Sequence, residues 1–199
     1  MKRSIFFFLG LLLLNACAAP KLDQNFSYSA SSQNAMIAVL DYRIKPTALA
    51  VIRSVNMENG ELYGRAIILG DNKTTKTPAY HLKEIPPGKY VIAQIIVTSR
   101  LPFSTHTLYK CYRPTLEVFE VEAGKVNAVK VGKLEPGNSR PAPDLEKILR
   151  SFGGITAPVG QAKLLGYLST KNLADGQCEN MRRGNYKFEV LKLKPGTDA

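Results

Sequence analysis

The stretch from Tyr80 to Thr98, YHLKEIPPGKYVIAQIIVT, constrains the fold of this chain more than any other. Proline fixes φ for a turn and glycine accepts the positive φ that a type II turn demands. Pro86-Pro87-Gly88-Lys89 therefore predicts a reversal between a strand ending at Ile85 and one running back from Tyr90 to Thr98. In the second strand Val91, Ala93, Ile95 and Val97 alternate onto one side, and Tyr90, Ile92 and Ile96 make the other nearly as apolar. A strand that is apolar on both faces belongs in the middle of a sheet covered on both sides.

The surrounding sequence repeats the theme in shorter runs. Ala35 to Ile44, Ala48 to Val55 and Glu61 to Leu69 are rich in β-formers and are separated by Lys45-Pro46 and by Asn56 to Gly60. Gly70-Asp71-Asn72-Lys73 turns the chain after the third, so these strands read as a meander with no helical period among them. Leu116 to Leu134, LEVFEVEAGKVNAVKVGKL, places strands on either side of an Ala123-Gly124-Lys125 turn. The "PPGKY" and "EAGKV" turns together resemble those of small exported β-sandwich domains of the transthyretin-like or carboxypeptidase-regulatory-like kind. The resemblance spans roughly Ala35 to Leu134 and implies a fold, not a site.

After Glu135-Pro136-Gly137 the pattern changes. Leu145, Ile148, Leu149 and Phe152 recur at helical spacing behind Asp144, with Glu146 four residues before Arg150 and Gly153-Gly154 as a stop. This predicts an amphipathic helix over about 144–152, packed on the β-domain and lying near its carboxy-terminal end. Ala162 to Ser169 suits a strand or a second short helix, and Tyr186 to Leu193 alternates as a closing strand. The expected class is mainly β: an antiparallel β-sandwich with one amphipathic helix, covering residues 35–194 and followed by a tail at 195–199.

The amino terminus says where such a domain would live. Lys2 and Arg3 precede an uncharged apolar run from Ile5 to Leu14, too short to span a bilayer but suited to a signal-peptide core. Leu14-Asn15-Ala16-Cys17 resembles the lipobox of bacterial lipoproteins. That resemblance implies removal of residues 1–16, acylation of Cys17 and an anchor in the membrane, with residues 17–34 as a lipidated tether. Each buried methylene contributes about 0.8 kcal/mol, so the family's several acyl chains hold stably where one would not. Ala18, rather than Asp, follows the cysteine, which by the same resemblance implies the outer membrane with the domain facing the periplasm. Phe26 and Tyr28 within the tether are expected to pack back onto the domain.

Processing would leave 183 of the 199 residues and, by removing Lys2 and Arg3, lower the formal charge from +11 to +9. A field of that sign favours anionic partners, but no run of five like charges concentrates it, and a solvated basic surface accounts for it as well. Export disfavours nucleic acid. With Cys17 acylated, Cys111 and Cys178 remain, an even number in an oxidising compartment, and an intramolecular disulfide is expected. It would stabilise the fold by about 4 kcal/mol in the chain-entropy model. Two free thiols or an intermolecular bond are the alternatives.

Catalytic signatures are absent from the sequence. There is no Gly-x-Ser-x-Gly, no phosphate-cradling glycine loop and no His-Glu-x-x-His. His81 and His106 are the only histidines, Cys111 has a disulfide partner to hand, and Glu120 and Glu122 suit a solvated strand edge, so no catalytic residue, metal or cofactor is assigned. Recognition is expected from the loop Ser99 to Pro114, which interleaves Arg100, Lys110 and Arg113 with Phe103, Tyr109 and Tyr112. Such aromatic and cationic mixtures are enriched in binding hot spots. A Cys111–Cys178 bridge would bring Arg182 and Arg183 near it. The expected function is a non-catalytic binding, accessory or structural component of the envelope, engaging a protein partner or an anionic glycan such as lipopolysaccharide. The competing expectation is an envelope hydrolase or a carrier of a small ligand or lipid.

Overall fold

The computed structural model describes residues 26–41, 48–69, 79–101, 104–110, 114–130, 144–150, 153–173 and 181–193. It is mainly β. The strands are β1 (Ala35–Asp41), β2 (Ala48–Asn56), β3 (Glu61–Leu69), β4 (Ala79–Ile85), β5 (Gly88–Leu101), β6 (Ser104–Lys110), β7 (Thr115–Val121), β8 (Val126–Lys130), β9 (Val159–Gln161), β10 (Lys163–Ser169), β11 (Tyr186–Lys187) and β12 (Glu189–Lys192), with helix α1 at Leu145–Arg150.

They form two sheets. The smaller has the order β4-β1-β8-β9, with β1 antiparallel to β4 and parallel to β8. The larger has the order β11-β3-β2-β5-β7-β10-β12, with β6 also on β5 and every pairing antiparallel. Its two ends belong to one short stretch of chain: Tyr186 and Lys187 pair with β3, while Glu189 to Lys192 pair with β10. The larger sheet thereby curls into a nearly closed ring. At the seam the Phe188 amide donates to the Gly60 carbonyl at 3.0 Å. Gly60 is required there, because its φ is +71° and a Cβ would lie 1.8 Å from the Phe188 carbonyl oxygen.

Side-chain alternation sorts the core into layers. Ile37 and Val39 of β1 face the larger sheet and pack with Ile52, Ile92, Ile95 and Phe119. Met36 and Ala38 point the other way, where Tyr28, Leu145, Leu149, Ile155 and Ala157 cover them. β1 is therefore apolar on both faces because it is buried on both. A third cluster fills the ring, with Val55, Leu62, Leu116, Leu168 and Met181 among its members.

Several expectations need correction. Both predicted reversals exist, but neither closes a hairpin. β4 pairs with β1 and β5 with β2, so Pro86-Pro87 carries the chain from one sheet to the other. Ala123-Gly124-Lys125 does the same between β7 and β8. β1 likewise leaves the expected meander for the smaller sheet, which β2 and β3 do not share. Within β5 the register to β2 jumps from Gln94 opposite Val51 to Ile92 opposite Ile52. That bulge puts Ile95 on the face of Tyr90 and Ile92 rather than with Val91 and Ala93.

Of the helix expected over 144–152, α1 is the described part, with 151 and 152 outside the described residues, and it is differently placed. α1 has six residues, Leu145 and Leu149 are its buried side chains, and β9 to β12 follow it, so it is neither a long amphipathic stripe nor terminal. Under two turns of helix cannot build such a stripe. Asp144 accepts the Lys147 amide at 3.0 Å, and Glu146 pairs with Arg150. Among the described residues no helix is long and apolar enough to cross a membrane.

The segment expected to be a tether is held to the body from Phe26 onward. Tyr28 is only 3% exposed. Its amide donates to Gly154 and its carbonyl accepts from Thr156, both at 2.9 Å. Its hydroxyl donates to the Asn34 carbonyl at 2.8 Å, with the Lys125 carbonyl at 3.2 Å sharing the proton. Burial pushes the Tyr28 phenol above its ordinary pKa. Gly124 and Gly154 permit the approach, since a Cβ on either would lie 2.2 Å from the carbonyl oxygen of Ala30 or Phe26 respectively. Buried Asn127 rigidifies this end. Its amide donates to the carbonyls of Lys125 at 2.8 Å, Glu122 at 3.0 Å and Met36 at 3.3 Å, and its oxygen accepts the Glu122 amide at 3.1 Å.

Candidate functional site

The stretch expected to be a recognition loop, Ser99 to Pro114, is for the most part not a loop. β5 has fourteen residues and outruns its neighbours: its pairing with β2 ends at Val97 and that with β7 ends at Val91. β6 takes over the edge that β7 vacates, pairing from Ile95 with Lys110 to Leu101 with Ser104. Two residues, 102 and 103, link the strands, the shortest common hairpin connection. Threonines at 98, 105 and 107 explain why a polar stretch is extended here, as β-branched residues suit a pleated surface. Beyond Val97, the described strands pair β5 with β6 alone, so among the described residues the hairpin continues past the ring as a two-stranded arm.

Register assigns the predicted residues to faces. Positions 96, 98 and 100 lie opposite 109, 107 and 105, so Arg100 and Tyr109 occupy one face of the ribbon and Lys110, opposite Ile95, the other. Cys17, Phe103, Cys111, Tyr112, Arg113 and Cys178 lie outside the described residues, and with them the expected lipidation and disulfide. The Thr170 amide donates to the Pro114 carbonyl at 2.8 Å, so the chain leading to Cys178 starts beside the end of the stretch that holds Cys111.

Arg182, half-buried, and Arg183, exposed, sit in the turn just before β11, against the ring. That turn is fixed by Arg53, which is opposite Val91 in register, six residues along β5 from where the arm begins. Six strand residues cover roughly 20 Å. The structure therefore sets Arg182 and Arg183 at the ring rather than on the arm.

Arg53 itself was not singled out by sequence. It is 2% exposed and lies on the inward face of β2. One terminal nitrogen donates to the carbonyls of Met181 at 2.9 Å and Gly184 at 3.1 Å, the other to that of Leu62 at 3.4 Å. Burial lowers its pKa, and Tyr186 acts in the opposite direction. The visible signal was a lone arginine in the apolar run ALAVIRSV.

Among the described residues no group of three or more His, Cys, Asp or Glu side chains is placed to hold a metal. Glu120 pairs with Lys163 at 3.9 Å and Glu122, beyond the end of β7, with Lys125 at 3.4 Å. His81 is buried in β4 and His106 lies on β6, opposite Ser99. The arm has an electrostatic character of its own. From Ile95 to Lys110 the hairpin's sequence contains Arg100 and Lys110 and no acidic residue at all. No family model, curated protein or solved structure matches this chain.

Proposed function

We propose that this chain is a lipid-anchored envelope lipoprotein that acts as a non-catalytic binding or accessory component, with the β5–β6 arm and the residues flanking it as its recognition element. The observation that carries the reading is the order of the first seventeen residues: a basic start, a short apolar run, and Leu14-Asn15-Ala16-Cys17. The anchor is Cys17, in the outer membrane, and the body faces the periplasm. Two sheets sharing one core support a sandwich-like scaffold, since Ile37 and Val39 of the smaller sheet pack against Ile52, Ile92 and Phe119 of the larger.

An acid-free arm favours an anionic partner, either the acidic face of another envelope protein or an anionic glycan such as lipopolysaccharide. Binding on the outside suits this molecule better than carriage within it, because Leu62, Leu116, Leu168, Met181 and Arg53 occupy the ring interior. A Cys111–Cys178 disulfide would tie the base of the arm to the turn that carries Arg182 and Arg183.

Mass spectrometry of the protein from native envelopes tests the anchor. A mature chain beginning at acylated Cys17 is expected, and a mature chain beginning elsewhere or lacking acyl groups would overturn it. For recognition, alanine at Tyr112 and Arg113 should weaken capture of the partner from solubilised envelopes at low salt while leaving the thermal unfolding midpoint unchanged. Undiminished capture by both variants would remove the arm from the reading.

A further inference from the structure

The docked N-terminal segment and the arm occupy opposite ends of the same strand. Ala35 pairs with Ile85, Gly88 pairs with Val121, and the Gly124 amide donates to the Asn34 carbonyl at 2.9 Å, so the Pro86-Pro87 turn, the Glu122–Lys125 turn and the Tyr28 latch share one end of the molecule. β5 starts there at Gly88 and ends at Leu101, at the tip of the arm. Thirteen steps along a strand carry it roughly 40 Å. Cys17 is joined to Phe26 by nine residue steps, which reach no more than about 32 Å in any conformation.

We propose that this arrangement orients the protein on its membrane: the Tyr28 end faces the bilayer and the arm is displayed away from it, toward a protein partner that approaches from across the compartment rather than toward the headgroups of the anchoring leaflet. This rests on the acylation of Cys17 proposed above. Docking is what sets the polarity. If the segment were free as far as Asn34, the leash would grow to seventeen steps, about 60 Å, and an arm carrying cations without acids would then reach and be drawn to an anionic leaflet. Held at Tyr28, the leash is shorter than the arm's distance from the docked end.

The test uses the full-length lipidated protein in vesicles of phosphatidylethanolamine and phosphatidylglycerol that carry an acceptor dye on their headgroups. A donor is attached through an encoded clickable amino acid at Ala123, in the turn of the docked end, or at Thr107, on the arm; both positions are exposed. Energy transfer from position 123 should exceed that from 107 several-fold, and equal or stronger transfer from 107 would overturn the orientation. A spacer of about thirty Gly and Ser residues inserted between Ala19 and Pro20 should erase the difference, whereas a difference that survives the spacer would overturn the role of the docked segment. Failure of the acylation reading gives a separate signature: no acyl mass on Cys17 and no flotation of either labelled protein with the vesicles, in which case the orientation falls with it.

Discussion

Two interiors of this protein are packed by different means. Between the sheets, Ile37, Val39, Ile52, Ile92, Ile95, Phe119 and Val121 meet as aliphatic and aromatic surfaces contributed by four strands. Inside the ring, Val55, Leu62, Leu168 and Met181 share the space with the guanidinium of Arg53, whose two terminal nitrogens donate to backbone carbonyls while its buried Nε has no hydrogen-bond partner among the described residues. The first interior depends on area removed from water and tolerates any turn that delivers the strands. The second depends on closing a seam whose ladders are two residues long on β3 and four on β10. So little pairing holds a seam only with help, and Arg53 supplies it by fixing the turn that leads into the closing strand.

Truncation between the sheets should have the larger effect. Ile37 is fully buried, and Ile37→Ala should cost about 3 kcal/mol in chemical denaturation, through lost transfer energy and the cavity left behind. Because β1 touches both layers, amide protection should fall in both sheets together. A loss confined to the smaller sheet would show that the two layers are not one cooperative unit.

Arg53→Met keeps the volume and removes the donors, leaving the carbonyls of Met181, Gly184 and Leu62 short of a partner. Buried acceptors left unsatisfied cost about 1–3 kcal/mol each, and relaxation of the exposed turn recovers part of that, so a net loss of about 2 kcal/mol is expected. The distinguishing readout is regional: protection should be lost first at Tyr186 to Lys192, with β1 unaffected. Uniform loss, or none, would mean that the seam holds without the cation. Methionine as stable as arginine would put this site among those where a buried charge is replaceable by a hydrophobe.

The same contrast explains what was legible in the sequence. β3 could be read residue for residue from ELYGRAIIL, and β2 from ALAVIRSV, because alternation and turn residues are local signals. The turns at Pro86-Pro87 and at Gly124 were equally legible, but not the partners they select, since a turn residue fixes the path of the chain and not which sheet receives it. The arm escaped because its composition is largely that of a loop: Ser99, Arg100 and His106 carry no strand signal of their own and lie in strands through the register that pairs Ser99 with His106 and Arg100 with Thr105. Packing of Phe26 and Tyr28 onto the body was expected, but not the docking of the chain from 26 to 34 around them, which escaped for a related reason. Its contacts are backbone hydrogen bonds around one tyrosine, and serine-rich sequence carries no period to announce them. Of the candidate site, the interleaving of cations and aromatics was visible, and its geometry as a protruding ribbon was not.

The smallest expected effect lies at the border of the inter-sheet core. Glu117 is on the face of β7 that also presents Phe119 and Val121 to that core, with Tyr167 opposite it in register on β10. Burial raises its pKa above the ordinary 4.5. A carboxyl whose folded-state pKa is raised binds its proton more tightly when folded, so its stabilising contribution is complete at acid pH and is lost as the pH rises through that folded value. At neutral pH the carboxylate is a small burden that glutamine does not carry. Since the side chain is more than one-third exposed, solvent screens most of this, and Glu117→Gln should gain no more than about 0.5 kcal/mol at pH 7. The gain should shrink toward zero as the pH falls below the ordinary glutamate range. A pH-independent difference would assign the effect to packing against Tyr167, and a loss at neutral pH would show that the charge is used there, which would make the border of the core, and not only the arm, a place to look for a partner.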